Sequence, residues 1–361
     1  MPPHAPVSVP MSLAGPVAVP VRRRRVLLVG FAGHQGREYL GPVREQAEVV
    51  GGVEVRSDAV ALAQGSGFPC FGSVGEALRE AEFDTALVTV PHHAHFAVCE
   101  ELLRHGKHIV KEKPFAVTVA EAEHLVSLAH AVDRSVLTLL QRNFNPVFAF
   151  AREQLDRIGS PYWFSYDYHL ALGRATSGWR ASRDQALGGV LLDMGYHLVD
   201  VLAGLFPPPS RVDAIFTHRY EEMRDRRLED LVCLLCGFPS ATLAGSLRVS
   251  RHHYEKTERL LVLGTVGALS VEPDRALLHL PGDPPPVRHT RPGTKADIVR
   301  AMFTEYFGRL DDRAYRSAHL RRQLSTVRTI EAAYRGRAGE SATAALPRPA
   351  PADPVERNGR P

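Results

Sequence analysis

A short apolar run that ends in a glycine-rich turn constrains the fold of this chain more than any other stretch. Residues 25–30 read RVLLVG, a pattern typical of a buried β-strand, and Gly33 and Gly36 follow Gly30 before a helical stretch. A strand that leads through such a turn into a helix offers free backbone N–H groups and the helix dipole to a pyrophosphate. Ala32 breaks the commoner GxGxxG spacing, so a plain tight turn is the alternative. The flanking strand and helix favour dinucleotide binding.

The alternation of strand and helix continues to residue 140. We expect further strands at 48–55, 84–90, 108–111 and 136–140, and helices at 94–105 and 118–132. Repeated βαβ units form a doubly wound parallel sheet, an α/β fold of the Rossmann type, and its ligands bind at the carboxyl ends of the strands. The cofactor contacts predicted there are Gly30, Ala32, Gly33, Gln35, Gly36, Val90, Pro91, His92, His95, Glu112 and Lys113.

The tip of the strand at 48–55 bears on the choice of cofactor, because the adenosine ribose is read about twenty residues after the glycines. A carboxylate at Glu54 would accept hydrogen bonds from the ribose hydroxyls of NAD, whereas Arg56 and Ser57 would hold the 2′-phosphate of NADP. We favour NADP, because Arg56 and Ser57 fall at the strand tip and Glu54 points to the other face. NAD remains the alternative.

Lys113 is held in an unusual setting by Pro114, which excludes the α conformation for the residue before it. A lysine at a strand tip can be a solvated surface charge. At this edge of the sheet it can also be a preset cation beside a nicotinamide carbonyl or a substrate hydroxyl, and we favour this second interpretation.

The stretch GGVLLDMGYHLVD, residues 188–200, carries the second candidate for chemistry. Asp193 and His197 are four residues apart on a predicted helix, so their side chains lie on one face. The two leading glycines permit close approach of a backbone or a ligand. The structural alternative is an aspartate that caps a turn and a histidine that is a satisfied core residue.

After residue 141 the pattern changes to one typical of an α+β domain. A helix at 145–158 and a long strand at 161–172 precede a run of strands whose short connections predict a large, mostly antiparallel sheet. Helices at 296–309 and 315–335 follow. We predict a dinucleotide-binding domain at 22–141, a substrate-binding and oligomerisation domain at 142–337, and disordered ends at 1–21 and 338–361.

The overall composition excludes several other classes of protein. A net charge of +4 spread along 361 residues gives little support to nucleic-acid binding. Four cysteines are too few for a disulfide framework, and the Cys233/Cys236 pair lies in an apolar strand, which predicts packing. Three histidines at 92, 93 and 95 lack nearby ligands of metal spacing, so we expect no metal. No stretch approaches the roughly 18–20 apolar residues of a membrane span. We expect a cytoplasmic protein.

Taken together, these residues resemble the Gfo/Idh/MocA family of nicotinamide-dependent oxidoreductases, from about Arg25 to Arg335. The resemblance rests on Glu112-Lys113-Pro114, on Trp179-Arg180 ahead of the paired glycines, on the Asp193/His197 helix and on the turn at 262–267. It implies that Lys113 is the catalytic lysine, that Asp193 and His197 complete a triad, that Lys113–Pro114 is a cis peptide, and that the chain forms a dimer or tetramer. Two departures are Ala32 in the glycine turn and a segment that reads QRNF at 141–144, where many members carry an Asn-Tyr-Arg-Phe-like sequence.

The reaction expected is hydride transfer between nicotinamide and a carbinol carbon of a sugar, sugar nucleotide, aminosugar or cyclitol. His197, oriented by Asp193, would exchange the hydroxyl proton, and Lys113 would polarise the same oxygen. The side chains expected to line the substrate pocket are Tyr168, His169, Trp179, Arg180 and Tyr196. The alternatives are an imine or thiazoline reductase and a non-catalytic dinucleotide-binding regulator.

Overall fold

The structure is a computed structural model that describes residues 23–55, 65, 67–282, 287–290 and 293–336. The predicted disordered ends lie outside these ranges. Arg56 and Ser57, on which the preference for NADP depends, also lie outside them.

The first half of the chain forms a parallel sheet of six strands in the order β3-β2-β1-β4-β5-β6. The strands are β1 (Arg24–Val29), β2 (Ala47–Val53), β3 (Cys70–Phe71), β4 (Thr85–Val88), β5 (His108–Lys111) and β6 (Val136–Thr138). The predicted doubly wound sheet is therefore confirmed. Because the order reverses between β1 and β4, a crevice opens at their carboxyl ends. Only the two-residue strand β3 had no counterpart in the sequence pattern.

Helices cover the sheet and connect its strands. They are α1 (His34–Gln46), α2 (Val74–Glu80), α3 (His95–Arg104) and α4 (Val119–Ala131). The start of α4 is fixed by a reciprocal capping box, in which the Thr118 side chain accepts from the Glu121 N–H and Glu121 accepts from the Thr118 N–H. This cap ends the loop that begins at Lys113.

The second half forms an eight-stranded sheet in the order β14-β13-β12-β11-β7-β10-β9-β8. The strands are β7 (Pro161–Ala171), β8 (Arg211–Thr217), β9 (Leu231–Gly237), β10 (Ala244–Ser250), β11 (His252–Gly264), β12 (Ala268–Glu272), β13 (Arg275–His279) and β14 (Val287–Thr290). Among the described strands of this sheet, only β7 and β10 pair in parallel, so the predicted mostly antiparallel sheet is confirmed. Strand β11 begins at His252, and its pairing with β7 is interrupted between His252 and Thr257.

The remaining helices pack on one face of this second sheet and against the first domain. They are α5 (Pro146–Glu153), α6 (Arg183–Ala186), α7 (Tyr196–Leu205), α8 (Glu221–Asp225), α9 (Lys295–Arg309) and α10 (Arg313–Gly336). The Phe216 ring of β8 stacks on Tyr334 of α10, which marks the covered face. The opposite face is open, with Ile215 67% and Leu235 56% exposed.

The helical run Arg183–Leu205 meets the length and hydropathy expected of a membrane span, contrary to the sequence expectation that no stretch would do so. However, 83% of its apolar window is buried inside the protein. Its apolar residues are therefore accounted for by packing in the core.

Burial of neutral histidines makes the stability of the fold depend on pH. The Thr138 N–H donates to His319 Nε2 at 2.9 Å, a bond that requires an unprotonated nitrogen, and burial lowers the pKa of His319 from 6.5 to about 4. Burial likewise lowers the pKa of His108 to about 4. Between pH 4 and 6.5 the unfolded chain binds more protons than the folded one at these sites, so the folded state loses stability as the pH falls.

We predict that the free energy of unfolding decreases as the pH is lowered from about 6.5 to about 4, by up to about 3 kcal/mol for each of these two groups. In His319→Gln an amide oxygen can accept the Thr138 N–H without titrating, so the slope should become shallower by about one proton. Chemical unfolding at a series of pH values measures the slope. The exposed His34→Gln variant is the control, and an unchanged slope in His319→Gln would contradict the assignment.

Candidate active site

Lys113 lies at the carboxyl end of β5, where the chain turns back through the Lys113–Pro114 cis peptide that the family resemblance implies. The turn is held by Lys111, which is fully buried and donates from Nζ to the carbonyl oxygens of Pro114 and Phe115. Burial lowers the pKa of Lys111 to about 8. A buried lysine thus fixes the backbone that carries Lys113.

Glu112 connects the Lys113 turn to the glycine-rich turn. Its Oε1 accepts from the Tyr39 hydroxyl at 2.5 Å and from Gln35 Nε2 at 3.4 Å. Its Oε2 accepts from the Lys113 N–H at 3.2 Å. Burial and the Glu112 charge raise the pKa of Tyr39, so its hydroxyl remains a donor. Gln35 and Glu112 therefore connect the glycine-rich turn to the backbone of Lys113 through hydrogen bonds.

The glycine turn has the shape that a pyrophosphate requires. Gly30 adopts a φ of +80°, and a Cβ at Gly36 would lie 2.5 Å from the carbonyl oxygen of Phe31. Gly33 precedes α1 without a side-chain cap, which leaves the N–H groups of the first turn for a ligand. The residues thus fit a dinucleotide. The Ala32 N–H donates to Glu54 Oε2 at 3.3 Å, so the Glu54 carboxylate lies against this turn.

Val90, Pro91 and His92 follow β4 at the same edge, and the Val90 side chain approaches Gly30. His92 is buried and its Nδ1 lies 2.8 Å from the Ala186 carbonyl oxygen. A carbonyl only accepts, so Nδ1 carries the proton and Nε2 is left as an acceptor. Burial and the Lys113 charge lower the pKa of His92 to about 3, which keeps this ring neutral. His95 is also buried, and neither of its ring nitrogens has a hydrogen-bond partner within the described ranges.

The second of the paired glycines, Gly189, admits a backbone rather than a ligand. A Cβ at Gly189 would lie 2.3 Å from the carbonyl oxygen of Glu229 and 2.5 Å from its nitrogen. The buried Glu229 side chain also accepts from the N–H groups of Gly189 and Leu191 and from the Tyr334 hydroxyl. The start of the helical run is therefore locked to Glu229.

Residues Leu191–Gly195 form a single π-helical turn that leads into α7, a distortion that is frequent at functional sites. This turn presents Asp193 to three cations. Lys113 Nζ lies 2.6 Å from Asp193 Oδ1, Arg251 donates to Oδ2 at 2.9 Å, and Arg180 Nε lies 3.3 Å from the carboxylate. Although burial opposes ionisation, these cations hold the pKa of Asp193 well below 3.8.

His197 lies close to this cluster but is not paired with Asp193. Its Nδ1 is buried and has no hydrogen-bond partner in the described part of the chain. Burial, with the charges of Arg142 and Lys113, holds the pKa of His197 well below 6.5, and Asp193 only partly opposes this. The expected role of Asp193 in orienting the imidazole has no hydrogen bond to support it, because both carboxylate oxygens are engaged by cations.

Three of the predicted substrate residues lie beside this cluster. Trp179 packs edge-on against His92, with ring centroids 4.7 Å apart, and the Arg180 guanidinium lies 4.3 Å from the Trp179 ring. Tyr168 lies 4.8 Å under the guanidinium of Arg142. Trp179, Arg180 and Tyr168 therefore lie on the side of the site that the second domain forms.

The other two predicted substrate residues are placed elsewhere, and here the sequence interpretation needs correction. His169 follows Tyr168 in β7 and so points to the opposite face of the sheet, where it stacks on His253. Tyr196 is fully buried, and its hydroxyl accepts from the Phe115 N–H and donates to Gln323. Tyr196 therefore ties the two domains together within the core.

Several side chains at the site were not predicted as site residues from the sequence. Arg251 lies between β10 and β11 in no recognisable motif. Arg142, which the QRNF departure marks, forms a paired contact with Glu258 at 2.5 and 2.8 Å, and the Tyr166 hydroxyl donates to the same carboxylate. Only the QRNF segment offered a signal, because the partners of these residues are distant along the chain.

The histidines at 92, 93 and 95 and the Cys233/Cys236 pair were the two sequence features with spacing that resembles metal-site or disulfide motifs. Within the described residues, no group of three His, Cys, Asp or Glu side chains is arranged to hold a metal ion. The four cysteines are free, and Cys236 is buried in β9 as the apolar pattern predicts.

A doubly wound sheet with a glycine turn at its switch point, joined to a sheet domain that supplies Asp193 and His197, defines a two-domain dinucleotide-binding protein. The chain belongs to the Gfo/Idh/MocA family of oxidoreductases. Residues 24–138 match the family's NAD-binding Rossmann fold, and residues 148–270 match its C-terminal domain. The cofactor class is therefore NAD or NADP.

Curated relatives share roughly a quarter to a third of their residues with this chain over the aligned part. A putative UDP-kanosamine synthase oxidoreductase subunit of Amycolatopsis mediterranei is 33% identical over 202 residues, which cover 53% of this chain and 54% of that protein. A scyllo-inositol 2-dehydrogenase (NADP(+)) of Bacillus subtilis is 26% identical over 149 residues, covering 40% and 45%. The chain thus spans about half the length of the curated relatives it matches.

Solved structures share the fold over nearly the whole described chain. Levoglucosan dehydrogenase, in complex with NADH and levoglucosan, superposes with a TM-score of 0.78 at 17% identity and covers 89% of this chain and 98% of its own. The WlbA dehydrogenase of Bordetella pertussis, in complex with NADH and UDP-GlcNAcA, gives 0.71 at 20% identity over 88% and 96%. At these identities the likeness concerns the fold alone.

We predict that Gly189→Ala destabilises the protein by about 1–3 kcal/mol or more, since the new methyl group collides with the Glu229 backbone. Chemical unfolding measures the change. Gly41→Ala is the control, because Gly41 lies in α1 with nothing within 4 Å of an added Cβ, so that alanine should be neutral or stabilising. Equal stability of the two variants would show that Gly189 is not locked to Glu229.

Proposed function

We propose that this chain catalyses reversible hydride transfer between a nicotinamide dinucleotide and a secondary alcohol or ketone of a sugar, sugar nucleotide, aminosugar or cyclitol. The observation that carries the proposal is the 2.6 Å contact between Lys113 Nζ and Asp193 Oδ1. It joins the ligand-binding edge of the first sheet to the second domain, next to the neutral imidazole of His197. A binding-only protein has no need for an ammonium and an imidazole so arranged.

The glycine turn would hold the cofactor. The N–H groups at the start of α1 would bind its pyrophosphate, and the turn through Gly30, Ala32, Gly33 and Gly36 would let the pyrophosphate approach them closely. Val90, Pro91 and the Nε2 acceptor of His92 would line the space next to β4. The bound nicotinamide supplies the acceptor or donor of the hydride.

Lys113 would donate a hydrogen bond to the substrate oxygen. Its ammonium is held in place by the Asp193 side chain and by the Asp193 carbonyl oxygen, both at 2.6 Å. A positioned cation lowers the proton affinity of an alcohol oxygen and stabilises the negative charge that develops on it. Asp193 thus acts on Lys113, and we replace its expected role towards His197 with this one.

His197 would accept the hydroxyl proton during oxidation and return it during reduction. Because burial, Arg142 and Lys113 hold the pKa of His197 well below 6.5, the ring is neutral at neutral pH and is ready to accept. The same cations make it a weaker base than an ordinary imidazole. Lys113 compensates by making the hydroxyl more acidic.

The choice between NAD and NADP stays a prediction. The Glu54 carboxylate, 3.3 Å from the Ala32 N–H, favours NAD, because an acidic group there accepts from ribose hydroxyls and repels a 2′-phosphate. The expectation of NADP depends on Arg56 and Ser57, whose placement is not described. Kinetics with both cofactors decide between them.

The experiment that tests the function is an absorbance assay at the reduced-nicotinamide band. The full-length protein is mixed with NAD or NADP and a panel of hexoses, amino sugars, sugar nucleotides and inositols, and the reverse reaction is run with the corresponding ketones. Formation of NADH or NADPH with at least one alcohol supports the proposal. Tight cofactor binding without turnover in either direction across the panel contradicts it.

Ile215 and Leu235 are exposed on the open face of the second sheet. We therefore propose that this face mediates self-association into a homodimer or homotetramer. The neighbouring Asp167 and Arg248 form a paired contact on the same face at 2.6 and 2.9 Å. A second copy would bury the apolar residues and keep this ion pair in place.

We predict that His197→Ala lowers kcat by about 10²–10⁴-fold, the usual cost of losing a general acid or base, with little change in cofactor affinity. The acid limb of the pH profile for oxidation should lie well below pH 6.5 in the wild-type protein, because protonation removes the acceptor. Steady-state kinetics and fluorescence titration of NADH measure both. The control is His124→Ala on α4, and turnover close to wild type in His197→Ala would remove the assignment.

We predict that Leu235→Glu halves the mass of the assembly, because a carboxylate on the open face cannot be buried against a second copy without a partner. Analytical ultracentrifugation measures the mass. Val266→Glu, at a 52% exposed apolar residue in the turn between β11 and β12, should leave it unchanged. A wild-type monomer would end the proposal for this face.

A further inference from the structure

Four cationic side chains meet two carboxylates where the two domains join. Lys113, Arg180 and Arg251 surround Asp193, with their nearest nitrogens at 2.6, 3.3 and 2.9 Å. Arg142 pairs with Glu258 at 2.5 Å beside Tyr168. Of the carboxylates in the described residues, only Asp193 and Glu258 form ion pairs with these four cations. The cluster therefore carries an excess of two positive charges.

Two other buried carboxylates, Glu112 and Asp230, form no ion pair with these four cations in the described part of the chain. Glu112 points away from the cluster to Tyr39 and Gln35. Asp230 lies 3.2 Å from His252 Nε2 and accepts from the N–H groups of Arg219 and Tyr220. Excess charge is expensive here, because Lys113 is buried and Arg251 is only 2% exposed. A ligand with a negative charge would compensate the excess positive charge of the cluster.

Arg180 is the member of the cluster that can receive such a ligand. Its side chain is 40% exposed, its Nε makes a long contact with Asp193, and its guanidinium carbon lies 4.3 Å from the centre of the Trp179 ring. In the part of the chain that the structure describes, neither terminal nitrogen of Arg180 has a hydrogen-bond partner. The contacts with Trp179 and Asp193 hold the guanidinium in place, and its terminal N–H groups are left to bind a carboxylate or phosphate.

We propose that the substrate carries an anionic group, a carboxylate or a phosphate, near the carbon that exchanges the hydride, and that Arg180 binds this group. The inference rests on the proposed function and narrows its substrate to acidic sugars or cyclitols. Arg180 is then a residue that determines specificity.

The electrostatics of His197 agree with this assignment. Arg142 and Lys113 both lower the pKa of His197 and thereby weaken it as a proton acceptor. An anion bound by Arg180 adds negative charge to the cluster and so favours protonation of the imidazole. An anionic substrate would therefore neutralise the cluster and also make His197 a stronger proton acceptor.

The experiment measures binding rather than turnover. Calorimetry of the full-length protein, without and with saturating NAD, compares D-glucuronate with D-glucose for the carboxylate and D-glucose 6-phosphate with D-glucose for the phosphate. We expect at least one anion to bind about tenfold or more tightly than glucose. In Arg180→Gln the preference should fall to within about twofold, and Arg180→Lys should retain part of it.

Arg224→Gln is the matched control, because Arg224 is an exposed arginine on the neighbouring α8 whose ion pair, among the described residues, is with Glu221. It removes the same charge and should keep the preference. Equal affinity for glucose and both anions, no binding of either anion at millimolar concentration, or an undiminished preference in Arg180→Gln would each overturn the proposal. Turnover of neutral sugars without a preference for anions would contradict the anion site and support the proposed dehydrogenase activity. A preference for anions without turnover would support the anion site and contradict the dehydrogenase activity.

Discussion

The ion cluster around Asp193 is the interaction on which the rest of the site depends. Lys113 comes from the tip of a strand in the first domain and Arg251 from the junction of two strands in the second, and both lie within 2.9 Å of the same carboxylate. Removing one partner of a buried ion pair costs several kcal/mol, because an uncompensated charge remains. The cluster therefore fixes the distance between the carboxyl edge of the first sheet and the second domain, and it also fixes the position of the Lys113 ammonium.

The surrounding backbone is built to keep that carboxylate in place. Glu229 binds the N–H groups of Gly189 and Leu191, so the chain enters the π-helical turn at a fixed point. Lys111 holds the opposite turn through two carbonyl oxygens. Two fully buried charged side chains, Glu229 and Lys111, thus position Asp193 and Lys113, and each does so by bonding backbone groups that would otherwise be unpaired.

The parts of the structure that the sequence predicted are those set by local pattern. The strand and glycine turn at 25–36, the alternation to residue 140 and the Lys113-Pro114 step all depend on neighbours in sequence. The parts that it did not predict depend on distant partners. The sequence predicted Tyr196 as a pocket residue, but in the fold its hydroxyl bonds to Gln323 and to the Phe115 N–H. Arg251 carries no motif, and its role follows only from the pairing of β7 with β10 and β11.

The stretch at 188–200 shows most clearly what spacing along the sequence cannot predict. Spacing of four residues places Asp193 and His197 on one helical face, but facing the same way does not make them partners. An imidazole offers Asp193 a neutral hydrogen bond, whereas Lys113, Arg180 and Arg251 offer three charge-assisted ones, which are stronger in a partly desolvated site. The carboxylate therefore turns to the cations. His197 is left neutral in their field, and its basicity is set by the charges of Arg142, Lys113 and Asp193.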